Sequence, residues 1–336
     1  MARIERHWYG ITPLHLILLP ASLLFGLIAA ARRALYRAGI FRSEKLPVPV
    51  IVVGNITVGG SGKTPLALWL VQQLLDAGWH PGVISRGYGG SATAPRSVSA
   101  LDSAAEVGDE PLLMAQRALC PVWIGRDRPA AARALLNAHP GCDVVISDDG
   151  LQHYRLRRDV ELAVVDGHRR FGNGLLLPAG PLREPLSRLK TVDAVVVNGG
   201  ADESQGAGVR GKFDMQLHGE NFHNLLNPHN IAHASNFSGM RVHALAGIGH
   251  PERFFKYLES QGLAIVRHPL PDHHRYTVTD ITIEDADAIL MTEKDAVKCA
   301  PFATEKCWVL RVDAQVDPAL AQHVLGKIAK YGHQAA

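Results

Sequence analysis

Cysteine is scarce in this chain of 336 residues: Cys120, Cys142, Cys299 and Cys307 are scattered, and no two form a C-x-x-C pair. That argues against a disulfide framework or a clustered zinc site and makes a reducing compartment the default. An excess of one charge is also missing. The 35 Lys and Arg nearly balance 32 Asp and Glu, for a net charge of +3, so bulk electrostatics implies no nucleic-acid partner. No internal repeat or low-complexity block appears. What is abundant is apolar material, 47% of residues, in a length that suggests about two domains.

The charge that is present is unevenly spread. Residues 1–42 carry six arginines (Arg3, Arg6, Arg32, Arg33, Arg37 and Arg42) and one acid, Glu5. Between them, residues 11–31 contain no Asp, Glu, Lys or Arg, which is about the length of a bilayer-spanning helix. A cleaved signal peptide, a buried core helix and a membrane-seated helix share this pattern. The Arg32–Arg33 pair and the nucleotide-binding motif that follows argue against export. Pro13, His15 and Pro20, with basic flanks at both ends, favour a helix lying in the interface or obliquely inserted over a clean span. Residues 1–42 are thus expected to be a membrane-associated helix, attracted to an anionic surface.

A strand-like V-I-V-V-G follows from Val50, then the Gly-rich run G-N-I-T-V-G-G-S-G-K-T over residues 54–64, then a helix-like segment with Pro65 in its first turn and Gly78 past its end. Strand, Gly-rich loop and helix in this order are the context of a P-loop, a Gly-rich turn without a ligand being the alternative. Thr57, Val58, Gly59, Gly60, Ser61, Gly62, Lys63 and Thr64 are the expected phosphate cradle. The glycines allow close approach of backbone N–H groups, Lys63 reaches the β/γ-phosphates and the Thr64 hydroxyl can ligate Mg²⁺. The match departs from G-x-x-x-x-G-K-[ST] at Thr57, where a glycine is usual. A metal site needs an acid on a neighbouring strand, and C-D-V-V-I-S-D-D-G offers Asp149, with Asp148, at the carboxyl end of one.

Further strand-like runs at 81–85, 121–125, 160–166 and 192–198 alternate with helix-like stretches such as 128–138. The expected fold is α/β: a P-loop kinase-like, doubly wound, mainly parallel sheet over residues 43–230. The polar stretch 199–211 reads as a loop. The strand and helix pattern restarts near Gly239, so residues 231–336 are expected to form a smaller α/β lobe, with the reaction site between the two.

The stretches G-N-I-T-V-G-G-S-G-K-T-P, S-R-G-Y-G, V-G-D-E-P, D-D-G-L-Q-H, L-P-A-G-P-L-R-E-P, L-A-G-I-G-H-P-E-R-F-F, P-D-H-H-R-Y and L-M-T-E-K-D-A-V-K-C together resemble the tetraacyldisaccharide 4′-kinase (lipid A 4′-kinase) family of Gram-negative bacteria, across almost the whole chain. Thr57 resembles that family's own pattern. The resemblance implies transfer of the γ-phosphate of ATP to the 4′-hydroxyl of a tetraacylated glucosamine disaccharide 1-phosphate, giving lipid IVA. It also implies Mg²⁺, an amino-terminal membrane helix at the cytoplasmic face of the inner membrane, and no obligate protein partner. Asp109 matches the family's proposed base; a helix cap is the alternative. His273 resembles its orienting partner, with His274 an open alternative. Lys63 takes the catalytic phosphate contact. Arg86, Tyr88, Arg128, His153 and Glu184 are the candidate acceptor residues, with Arg126 and Arg183 near them. The run T-E-K-D at 292–295 is similar to the base-recognition motif of GTP-binding proteins, or is a charged turn after a strand. Two rival classes stay open: a nucleotide switch at a membrane, and a kinase of a small soluble metabolite with residues 11–31 as core.

Overall fold

The computed structural model describes residues 6–10, 12–199 and 211–332. Nearly all of the loop expected at 199–211 therefore lies outside the described residues. The strands in chain order are β1 (Val50–Gly54), β2 (Pro81–Ser85), β3 (Arg96–Ser97), β4 (Val122–Ile124), β5 (Val144–Asp148), β6 (Val160–Asp166), β7 (Ala194–Asn198), β8 (Lys212–His218), β9 (Phe222–Asn224), β10 (Ile231–Ala232), β11 (Val242–Ala246), β12 (Ile265–Pro269), β13 (Ala288–Thr292), β14 (Cys307–Leu310) and β15 (Asp313–Val316). The longer helices are α1 (Leu14–Arg37), α2 (Lys63–Asp76), α3 (Asp109–Arg117), α4 (Arg128–Ala138), α5 (Pro251–Ser260), α6 (Glu293–Cys299) and α7 (Ala319–Ile328).

One sheet runs β15-β8-β7-β6-β1-β5-β2-β4-β3 and is parallel except at β3 and β15. Its central strands are apolar on both faces because helices cover both. Ile51 and Val53 point into one core with Leu66 and Leu70 of α2, while Val50 and Val52 point into the other with Ala131 and Leu135 of α4. The register matters for function. β1 pairs in parallel with β5, Val53 opposite Asp148, so the Gly-rich loop and the acidic turn leave the sheet side by side.

The second sheet runs β10-β9-β14-β13-β11-β12, with β11 to β14 parallel. Its limits differ from a clean division at 230. β9 precedes that point, and after β14 the chain turns back: β15 pairs with β8 at the edge of the first sheet, and Leu320, Val324 and Ile328 of α7 join the first core. The four residues of β15 alternate between exposed and half-buried, as an edge strand should.

α1 stands apart from both cores. Its apolar window has a mean hydropathy of 2.2 with 11% of residues buried, so it is no core helix. Leu16, Ile17, Leu23, Leu24, Leu27 and Ile28 are all exposed. One narrow side rests on the body, where the Ser22 hydroxyl donates to the Leu176 carbonyl at 2.7 Å. Gly26 allows this approach, since a Cβ there would lie 2.7 Å from Leu176 Cδ1.

Candidate active site

The Gly-rich loop is built to present N–H groups. Gly59 and Gly62 have φ of 100° and 94°, which side chains rarely tolerate. The loop's carbonyls are tied back: the Asn55 amide donates to Gly59 (3.3 Å), the Asn198 amide to Ser61 (3.0 Å), and the Arg169 guanidinium to Gly60. With the carbonyls engaged behind it, the loop and the N-terminus of α2 face forward as an anion site. Thr57 and Val58, expected in the cradle, instead pair through their backbone with residues 181–182. Lining of the adjacent cavity begins at Gly60 and includes Ser61, Gly62, Lys63 and Thr64.

Lys63 is buried, and its ammonium lies 3.4 Å from Asp149, which also accepts from Arg183 at 3.1 Å. Burial opposes ionisation of Asp149, but Lys63, Arg183 and Arg128 outweigh it and hold the carboxyl well below the usual range. Asp148 is the contrary case. Burial first, then the charges of Glu110 and Asp149, push its carboxyl up to about 7. The Ser85 hydroxyl reaches Oδ2 at 3.4 Å, while Oδ1 is buried with no hydrogen-bond partner. An orphaned carboxylate oxygen beside a second acid and Lys63 fits a hard divalent cation.

Asp109 opens α3 and is buried. His273, 164 residues later, donates from Nδ1 to Asp109 Oδ2 at 3.0 Å, and the Lys294 and Lys298 ammonium groups each lie 4.0 Å from that oxygen. Burial pushes the Asp109 carboxyl up, but the His273 hydrogen bond and the charges of Lys294, His273 and Lys298 bring it below its ordinary value. The same hydrogen bond raises His273 against burial and Lys294. His273 has a φ of 58°, and the Tyr88 ring packs on it at 5.1 Å. His274 turns the other way, 3.3 Å from Asp280.

The remaining sequence candidates divide. His153 is held neutral, near 4, by burial and then by the charges of Arg128 and Arg86, and Arg86 is exposed in the loop after β2. Glu184 is buried and accepts from the Gln152 amide (3.3 Å) and the Tyr154 hydroxyl. Arg128, expected at the acceptor, is fully buried, and its guanidinium donates to the carbonyls of Gly125 and Asp148, each at 3.0 Å. It ties the end of β5 to the turn after β4, because one carbonyl at each place needs a donor.

The T-E-K-D run is the junction of β13 and α6. The Thr292 hydroxyl caps the helix, Asp295 is buried under it, Glu293 pairs with Arg117 at 3.0 Å and Lys294 with Glu110 at 3.1 Å. These pairs join the two sheets' layers. Thr292, Glu293 and Lys294 also line a cavity of about 250 Å³ together with Ile248, Phe254, Tyr257 and Leu310. Its lining joins the Gly-rich loop to a set of apolar side chains, which suits a triphosphate carrying a flat base. Lys298, Asn198 and Arg169 were not singled out by sequence, and Lys294 only as part of the T-E-K-D run. Each acts across the cleft or between loops, and only L-M-T-E-K-D-A-V-K-C, which contains the two lysines, carried any signal.

A model of the family described as Tetraacyldisaccharide-1-P 4′-kinase matches residues 14–329. Proteins named tetraacyldisaccharide 4′-kinase from Azoarcus sp. and Methylobacillus flagellatus are 54% and 51% identical, over 98% and 97% of this chain and 96% of each relative. Among solved structures, the LpxK of Aquifex aeolicus in complex with ATP has a TM-score of 0.79 at 31% identity, covering 94% of this chain and 99% of that one.

Proposed function

This chain belongs to the tetraacyldisaccharide-1-P 4′-kinase family, and we propose that it transfers the γ-phosphate of ATP to the 4′-hydroxyl of a tetraacyldisaccharide 1-phosphate, forming lipid IVA in lipid A biosynthesis. The observation that carries the reading is the convergence on one cavity. Glu110, next to Asp109, and Lys294, 4.0 Å from its carboxylate, line the same space as Gly60 to Thr64. A nucleotide switch needs no buried carboxylate–imidazole pair at its phosphate loop, and a phosphotransferase with an alcohol acceptor does.

The roles follow. Residues 60–64 hold the triphosphate, and Lys63 offsets charge on its outer phosphates. Asp109 takes the proton of the attacking hydroxyl, and His273 holds the carboxylate in place and stabilises it. Arg86, Tyr88, His153 and Glu184 line the approach of the sugar. Thr64, Asp148 and Asp149 would hold Mg²⁺, which supplies neutralisation of the phosphate charge when bound. An assay with labelled ATP and the disaccharide lipid tests the reading. Label in lipid IVA is expected; label in soluble sugars with none in the lipid overturns it.

His273→Ala moves the acid limb of the kcat/KM profile to higher pH. Without the hydrogen bond, burial is less opposed and the Asp109 carboxyl rises, so a larger share of it is protonated and inactive at a given acid pH. An unshifted acid limb in the pH–rate profile would show that His273 does not tune this base.

The exposed face of α1 is read as seated in the cytoplasmic face of the inner membrane, where an acylated acceptor resides. At about 1.5 Å per residue its 24 residues extend about 36 Å. The triple variant Leu16→Glu, Leu23→Glu, Leu27→Glu changes exposed positions only, so the thermal midpoint stays put. Each charge placed in lipid costs about 2.5–3.5 kcal/mol at full depth, and the protein leaves the membrane pellet. A triple variant that still sediments with membranes would refute this placement.

A further inference from the structure

We propose that an arginine-lined cavity at the carboxyl end of α1, separate from the nucleotide cleft, receives a lipid-borne phosphate group. It has a volume of about 240 Å³ and is lined by four arginines, Arg33, Arg37, Arg158 and Arg188, by Tyr154 and Thr191, and by two acids, Glu161 and Asp193.

The charge balance points to an anion. Glu161 is already shared by Arg158 (3.0 Å) and Arg188 (2.5 Å), and Asp193 is paired with Lys327 (2.7 Å). Arg33 donates to the Thr191 hydroxyl at 2.8 Å, and among the described residues no carboxylate pairs with Arg33 or Arg37. Two guanidinium groups are therefore in excess around a cavity already held rigid by buried ion pairs, and planar N–H forks match phosphate oxygens.

Position specifies the carrier. The large exposed apolar side chains of α1 end at Ile28, and Arg33 and Arg37 follow about 1.4 and 2.5 turns later. If the helix is seated in lipid, this is the depth of the headgroups. The cavity also adjoins the acceptor region: the Tyr154 hydroxyl donates to Glu184, which accepts from Gln152 beside His153. Two sources share the chemistry. One is the acceptor's own 1-phosphate, at the opposite end of the disaccharide from the 4′-hydroxyl, and this source rests on the proposed reaction. The other is the headgroup of an anionic phospholipid.

The test uses the full chain and the double variant Arg33→Gln, Arg37→Gln, leaving the ion-paired Arg158 and Arg188 untouched; an unchanged thermal midpoint confirms folding. In neutral detergent micelles, KM is compared for acceptors with and without the 1-phosphate. In parallel, binding to phosphatidylcholine vesicles is measured with and without phosphatidylglycerol. If the acceptor phosphate is the occupant, the double variant raises KM about 10-fold or more for the 1-phosphorylated acceptor, with kcat nearly unchanged and no effect on the acceptor lacking that group. If a phospholipid is the occupant, the micelle kinetics hold while the phosphatidylglycerol-dependent binding weakens about 10-fold. The Arg33→Lys, Arg37→Lys variant restores part of either effect, since charge returns without the fork. No change in either assay overturns the proposal. A native chain that phosphorylates no lipid would instead sink the proposed reaction, while the vesicle assay would still decide the site.

Discussion

Asp109→Asn slows phosphate transfer about 10³-fold, within the 10²–10⁴ range for a positioned base, while ATP affinity stays nearly constant. The side chain is isosteric and Asp109 is buried, so the helix start and its packing persist. What disappears is the capacity to take a proton and the negative charge between His273, Lys294 and Lys298, three groups within 4.0 Å of the carboxylate. The loss falls on kcat, measured at saturating ATP and acceptor. Equal losses in kcat and in ATP affinity would assign Asp109 to the structure of the cleft.

Lys63→Ala produces the second large effect, a fall of about 10²–10³ in kcat/KM for ATP, the range found when one preorganised donor to a developing charge is lost. Here both terms move, because Lys63 meets the phosphates in the ground state and in the transition state. Removing it also leaves Asp149 with Arg183, at 3.1 Å, and the charge of Arg128. Steady-state kinetics together with direct nucleotide binding separate the two contributions. A variant that bound ATP weakly yet turned over at the native rate would place Lys63 outside the chemistry.

Legibility in the sequence followed locality. The loop at 54–64 and the acids at 148–149 could be read because strand, turn and helix follow one another without interruption, and parallel pairing then brings the two turns together. The pairing of Asp109 with His273 spans 164 residues and rests on no local pattern; only the family resemblance suggested it. Arg128 misled because an arginine opening a helix after a strand suits a phosphate equally well. Its burial depends on the carbonyls of Gly125 and Asp148 needing donors, which no spacing reveals. β15 was missed as part of the first sheet because a half-exposed edge strand has no apolar run to mark it. The T-E-K-D run was ambiguous for a physical reason: it is at once a turn after a strand, a helix cap and a wall of the cleft.

The return of the chain through β15 makes the smaller lobe an insertion held at both ends. Its entry after β8 and its exit into β15 run as neighbours, with His218 opposite Asp313. A body tethered by two adjacent strands is placed more closely than one hung from a single linker. Asp109 belongs to the first body and His273 to the second, so the pair depends on how the two are held together, by Arg117 with Glu293 at 3.0 Å and Lys294 with Glu110 at 3.1 Å among other contacts. The groups that offset the cost of burying the Asp109 carboxylate are thus supplied across a joint, by His273, Lys294 and Lys298 of the inserted lobe, so the base is completed by a part of the chain that its own sheet does not contain.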